Sequence, residues 1–243
     1  MGRRVEGNPL VRRMRSIERR YHCGRLDPRK PFVIRLDGRS FSRWTGGLEK
    51  PFDMRLVNIF IETTKALFRE LDNLRFAYGQ SDEVSLLFFP LHPNSQPIFG
   101  GKVYKVLSLS ASIFTATFNR FLPQYIPEKS EPANFDSRVI QFETVGDVRD
   151  YFLWRWKDAV RNSKNSFARL YLSPKEMAGK TSGELVEIAR ARGGEWEALP
   201  LRTRYGWALY ADYSSGKLRI VEVSTYPFER VEGKVRESLG FLP

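Results

Sequence analysis

Cysteine occurs once in the 243-residue chain, as Cys23, and histidine twice, as His22 and His92. A single cysteine cannot form an internal disulfide, which suits a reducing, cytoplasmic setting. A Cys/His zinc centre needs more ligands than these three residues supply. A Ser-His-Asp triad would have to recruit His22, behind a basic helix-like segment, or His92, in the turn-like "LHPN". Both read as surface positions. No apolar run approaches the length of a membrane span, and the opening "MGRRVEGNPLVRRMR" lacks the apolar centre of a signal peptide. Acids are also in deficit. There are 28 Asp and Glu against 40 Lys and Arg, a net charge of +12. That excess favours a polyanionic partner, with nucleic acid ahead of an anionic membrane surface. Catalysis on such a chain would fall to carboxylates and metal ions.

The 42% apolar and 14% aromatic residues suffice for one large core, or one core with a smaller appendage. "PFVIRLDG" (31–38) reads as a strand ending in Asp-Gly. Residues 52–72 carry Val57, Phe60, Ile61, Thr64, Leu67, Phe68 and Leu71 at helical spacing, with Asp53 placed to cap the start. "AYGQSDEVSLLF" (77–88) reads as two strands around a Gly-Gln-Ser-Asp-Glu corner. A second helix over 102–123 and a strand at "SRVIQFE" (137–143) follow. Strand, helix, strand, strand, helix, strand is the split βαββαβ or ferredoxin-like unit, an α+β fold. The spacing places a catalytic domain over 1–145, including an N-terminal basic helix. A C-terminal extension over 146–243 contains an aromatic, basic segment (147–172) helical in two pieces. It continues with an amphipathic helix signalled by "SPKE" and a closing hairpin from "YGWALYAD" and "KLRIVEV".

In this topology the first and third strands are antiparallel neighbours at the centre, so Asp37 lies next to Asp82. Two carboxylates converging on a sheet edge, with the Gly38 carbonyl between them, suit a pair of Mg²⁺ ions that keep sites open for phosphate. The plainer readings are that Asp37 caps the turn at Ser40 and that the Ser-Asp-Glu corner is turn chemistry. Glu83, next to Asp82 on a strand, points to the opposite face, as a supporting or structural partner. Tyr151, Phe152, Trp154 and Trp156 fit either a core or subunit interface or a stacking surface for RNA bases. Arg155, Arg161 and Lys164 among them are candidates for RNA contact.

"FVIRLDGRSFSRW", "YGQSDEVSLLF", "FDSRVIQF" and "DYFLWRWKDAVRN", in this order, resemble the signature segments of the tRNA-His guanylyltransferase family and its relatives. These are the 3′–5′ RNA polymerases, which add nucleotides to the 5′ end of tRNA. The resemblance covers about residues 10–175 well and the rest loosely. It implies a polymerase-like palm, a two-metal site at Asp37, Gly38 and Asp82, and ATP and GTP or other nucleoside triphosphates as substrates. It further implies nucleotide contacts from Arg35, Arg39, Ser40, Phe41, Lys50, Asp53, Ser81, Glu83 and Lys105. Contacts to tRNA are implied for Arg138, Arg155, Arg161, Asn162 and Lys164, and the assembly is expected to be a homotetramer.

One departure stands out. Eukaryotic members carry "HINN" after a "WRQ.D" stretch, whereas here Trp156 replaces the glutamine and Val160 the histidine. That resembles the archaeal or bacterial branch, which copies a template base and repairs shortened 5′ ends. The activity implied is template-dependent nucleotide addition to the tRNA 5′ end. The alternatives are a palm-fold nucleotide cyclase, which needs no basic RNA surface, and a non-catalytic RNA-binding module, which needs no acids.

Overall fold

The computed structural model describes residues 9–19, 23–90, 92 and 94–240; His22 lies outside them, as does part of the basic N-terminal stretch. Among the described residues the chain runs α1 (Pro9–Arg19), β1 (Phe32–Gly38), α2 (Phe41–Trp44), α3 (Met54–Glu70), β2 (Leu74–Gln80) and β3 (Glu83–Phe88). It continues through α4 (Val103–Tyr125), β4 (Phe135–Gln141), α5 (Val145–Ala168), α6 (Pro174–Met177), α7 (Ser182–Ala191) and α8 (Leu201–Tyr205). β5 (Trp207–Asp212), β6 (Arg219–Val223) and α9 (Phe228–Ser238) complete it. The sheet order is β4-β1-β3-β2-β5-β6, with every pair antiparallel. Its first four strands have the expected ferredoxin-like order, and the C-terminal hairpin extends the same sheet beyond β2.

Alternation along the strands buries both faces. Ile34, Leu36, Val84 and Leu86 meet Phe60, Phe114 and Phe118 of α3 and α4 on one side. Val33, Phe76 and Leu87 meet Phe152 of α5 and Val231 and Val235 of α9 on the other. The hairpin docks where β2 has no side chain. A Cβ on Gly79 would come within 2.1 Å of the Trp207 ring, so only glycine lets the indole lie on β2.

Three expectations for the C-terminal region are corrected. The aromatic, basic segment is one unbroken helix, α5, because Thr144 and Asp147 cap its start reciprocally and no Pro or Gly interrupts it after Gly146. "SPKE" starts only the four-residue α6; the amphipathic α7 has its own capping box between Thr181 and Glu184. The hairpin does not close the fold, since α9 follows and covers the sheet with Phe228, Val231 and Val235.

Candidate active site

β1 ends at Asp37-Gly38, and the turn from β2 to β3 sets Asp82 beside it: the Gly38 amide donates to the Asp82 carbonyl at 3.0 Å. Ser81 adopts a left-handed conformation (φ +56°), and its hydroxyl donates to Asp82 Oδ1 at 2.9 Å. Gly38 has no room for a side chain. A Cβ there would sit 2.4 Å from the Phe41 ring and 3.0 Å from the Asp82 Cβ. Burial, and then the negative charge of Asp37, push the Asp82 carboxyl above the usual carboxylate range. A carboxylate whose ionisation is opposed by burial and by a neighbouring acid is a candidate holder of a hard cation. Among the described residues no group of three or more His, Cys, Asp or Glu forms a ligand set. The candidate donors, two carboxylates and a carbonyl, would leave positions for phosphate oxygens.

A cleft of about 270 Å³ opens onto Asp82. Phe41, Leu48, Leu56, Val57 and Trp207 give it an apolar wall, and Lys50, Arg169 and Arg202 supply cations. Of the residues expected to contact nucleotide, Phe41, Lys50, Asp53 and Ser81 line it. Asp53 does so as a structural residue. Its side chain is 2% exposed and accepts from the Arg55 amide at 2.9 Å and from Arg55 Nη2 at 2.8 Å, capping α3. Those bonds hold its carboxyl below the usual range. The expected helix cap is therefore present, and the oxygens of Asp53 are engaged by α3 rather than free in the cleft. Arg39 and Ser40 border a separate hollow with Arg43, Trp44 and Asn134, and Lys105 lies exposed on α4. None of the three lines the cleft.

The other face of the sheet holds a different constellation. Asp37 pairs in register with Glu83 on β3 and with Asp136 on β4, so these three share a face. Glu83 takes two bonds from Arg155, Nε to Oε1 at 2.7 Å and Nη2 to Oε2 at 2.8 Å, and lies 3.8 Å from Arg35. Arg155 also bonds Asp158, which in turn holds Arg161. The Arg155 side chain is only 8% exposed. Two expectations change here. Arg155 is a buried ion-pair partner rather than an RNA-facing cation, and Glu83 spends its oxygens on arginine rather than on nucleotide. Arg138 remains open, with Nη2 3.9 Å from Asp37 Oδ2. Arg161 is exposed, Asn162 is half-buried, and Lys164 stacks its ammonium 5.1 Å from the Trp196 ring centroid.

The aromatic cluster divides. Tyr151 and Phe152 are core, and Trp156 donates to the Thr225 carbonyl at 2.7 Å while stacking on Tyr205. Val160 packs in the same patch, so the two departures from the eukaryotic motif tie α5 to the C-terminal elements. Trp154 alone among the four is mostly exposed. The cleft residues Ser42, Thr45, Ser166, Arg169, Arg202 and Thr203 carried no local signal; tertiary packing assembles them.

A palm-type antiparallel sheet that presents two carboxylates and a carbonyl beside a cation-lined cleft is the architecture of a nucleotidyltransferase. Comparison with known proteins narrows the class. A family model for tRNAHis guanylyltransferase matches residues 11–143, and the chain belongs to that family. The tRNA(His) guanylyltransferase of Neurospora crassa is 32% identical over 66% of this chain and 56% of its own, so the chain spans just over half that relative's length. An uncharacterized protein of Acanthamoeba polyphaga mimivirus is 28% identical over 83% of this chain and 77% of its own. A bacterial tRNA(His) guanylyltransferase-like protein solved with ATP superposes with a TM-score of 0.83 at 29% identity, covering 93% of this chain and 98% of that one. A second such structure, with GTP, has a TM-score of 0.74 at 29% identity and covers 93% of this chain and 99% of that one.

Proposed function

We propose that the chain adds nucleotides to the 5′ end of tRNA in the 3′–5′ direction by copying the opposing base. Repair of shortened 5′ ends and guanylate addition to tRNA-His are the two forms of that reaction. The observation that carries the reading is the junction of two neighbouring strand ends, where the Gly38 amide after Asp37 bonds the Asp82 carbonyl and Asp82 lines a cleft holding Lys50 and Arg169. Asp37, Asp82 and the Gly38 carbonyl would hold two Mg²⁺ ions. Such ions supply charge neutralisation at the attacking and leaving oxygens. Lys50 and Arg169 hold the phosphates of a nucleoside triphosphate, and the apolar wall of the cleft receives its base. The 3′-hydroxyl of that nucleotide attacks the activated 5′ phosphorus of the RNA. Pyrophosphate departs from a 5′-triphosphate, or AMP from an end first adenylylated by ATP.

Both ATP and GTP occupy bacterial relatives of the same fold, which supports ATP as activator and GTP or another nucleoside triphosphate as the added unit. No helix among the described residues is long and apolar enough to cross a membrane. The proposed setting is the cytoplasm, where tRNA and nucleotides meet, and the proposed assembly is the tetramer of the family. The test is to sequence the 5′ ends of tRNAs incubated with the protein, Mg²⁺ and all four nucleoside triphosphates. New 5′ nucleotides are expected. A cyclic nucleotide without RNA growth, or growth at the 3′ end, would overturn the reading.

A further inference from the structure

We infer that Trp154, over Arg35 and on the face of the sheet that carries Arg138, is the stacking platform for the base of the RNA's 5′-terminal nucleotide, on the side opposite the cleft. This rests on the proposed function and assigns its RNA-end subsite. The ring belongs to no core: Trp154 is 53% exposed, although Phe152 and Arg155 of the same helix are buried. Charges surround it instead. The Arg155 guanidinium carbon lies 4.5 Å from the indole centroid and that of Arg35 lies 5.8 Å away. Tyr151 meets it edge-on at 5.9 Å. Arg155 is itself locked by its two bonds to Glu83, so the indole rests on a fixed support. A pre-positioned ring loses little rotamer freedom when a base stacks on it.

Position relative to the acids selects the ligand. Arg35 precedes Asp37 by two residues on the same face of β1, and Arg138 on β4 reaches within 3.9 Å of Asp37. Trp154, over Arg35, therefore lies on the face of the sheet that carries Asp37, while the cleft opens onto Asp82. Nucleotidyl transfer needs two nucleotides meeting at the acids, and the two sides differ in kind. The cleft is a walled hollow sized for a small triphosphate. The Trp154 side is open, with Arg138 56% exposed, and can admit the end of a macromolecule. An aromatic ring flanked by arginines accepts any base by its π-face while its cations meet phosphates. Tolerance of base identity is what an enzyme that pairs rather than reads the terminal nucleotide requires.

The test places 5-iodouridine at the 5′ terminus of a triphosphorylated tRNA transcript, binds it to the full chain, irradiates, and maps the adduct by mass spectrometry. An adduct on Trp154 is expected. An adduct on the cleft residues Phe41 or Trp207, or none on Trp154 while the tRNA is bound, overturns the assignment. Kinetics give the second readout. Trp154→Ala should raise the KM for 5′-truncated tRNA by about tenfold or more, with the KM for nucleotide unchanged, and Trp154→Phe should recover most of it. An unchanged KM for tRNA, with the oligomer lost in light scattering, would make Trp154 a subunit contact and overturn the platform. Failure of the wild-type protein to extend any tRNA while the adduct still forms on Trp154 would sink the proposed reaction and leave the platform standing.

Discussion

Glu83 and Arg155, 72 positions apart in the chain, join β3 to α5 through two parallel bonds of 2.7 and 2.8 Å. Glu83 follows Asp82 directly, so the helix that carries Trp154 is tied to the strand that begins beside Asp82. Removing one partner strands a buried charge, which costs on the order of 3–5 kcal/mol. Arg155→Ala should lower stability by that amount in denaturant titration, and the double variant Glu83→Gln/Arg155→Met should recover part of it. Equal losses in single and double variants would show that the pair is not coupled.

Asp37→Asn and Asp82→Asn should each abolish nucleotide addition while the fold survives, because both carboxylates lie at a strand end rather than in the core. Asp82 also makes a pH-dependent prediction. Its folded pKa is raised above the unfolded value, so its ionised form opposes folding once the pH exceeds the unfolded carboxylate range. In metal-free buffer at neutral pH Asp82→Asn should melt higher than the wild type. That gain should shrink as the pH falls and Asp82 protonates. A variant that melts lower at neutral pH would contradict the unfavourable charge assigned to Asp82.

Asp53 shifts the other way. Its folded pKa is depressed by its bonds to Arg55, so its contribution is present above the unfolded value of about 3.9 and is lost as the pH falls through the lower folded value. Asp53→Ala should cost about 1 kcal/mol at neutral pH from the lost cap. The gap to the wild type should close in acid, as followed by circular dichroism. A gap that persists unchanged at the lowest pH would mean that the carboxylate's charge contributes nothing to the cap.

Binding of tRNA should weaken steeply with salt as phosphate contacts release counterions. Arg138→Gln and Arg161→Gln, both exposed, should each reduce the slope of log affinity against log salt by about 1. Lys105→Gln, on the exposed face of α4, serves as the comparison. An unchanged slope in the two arginine variants would put the RNA surface elsewhere.

The palm was readable because its signals are local. Val84, Leu86 and Phe88 alternate, the α3 positions recur at helical spacing, and the order of elements brings Asp37 to Asp82. What escaped depends on partners distant in sequence. The basic character of Arg155 suggests a surface, and only the fold supplies Glu83 to bury it. The cleft gathers Ser166 from α5, Arg169 from the cap at its end and Arg202 from α8, where nothing nearby marks them. α9 is a different case. Phe228, Val231, Val235 and Leu239 repeat at helical spacing after "STYP", a legible pattern hidden by reading the preceding hairpin as the end of the fold.

The most direct test of the central claim uses tRNA lacking its first nucleotide, carrying a 5′-triphosphate, with Mg²⁺ and one nucleoside triphosphate at a time. The opposing base in the acceptor stem is varied through all four identities, and products are resolved on a gel. The proposed selection by pairing fits the packing of Val160 and Trp156 at the junction of α5 with the C-terminal elements. The account predicts that the added nucleotide follows the opposing base in every case, and that Asp82→Asn adds none. Guanosine addition whatever base stands opposite, or continued addition by Asp82→Asn, would contradict it.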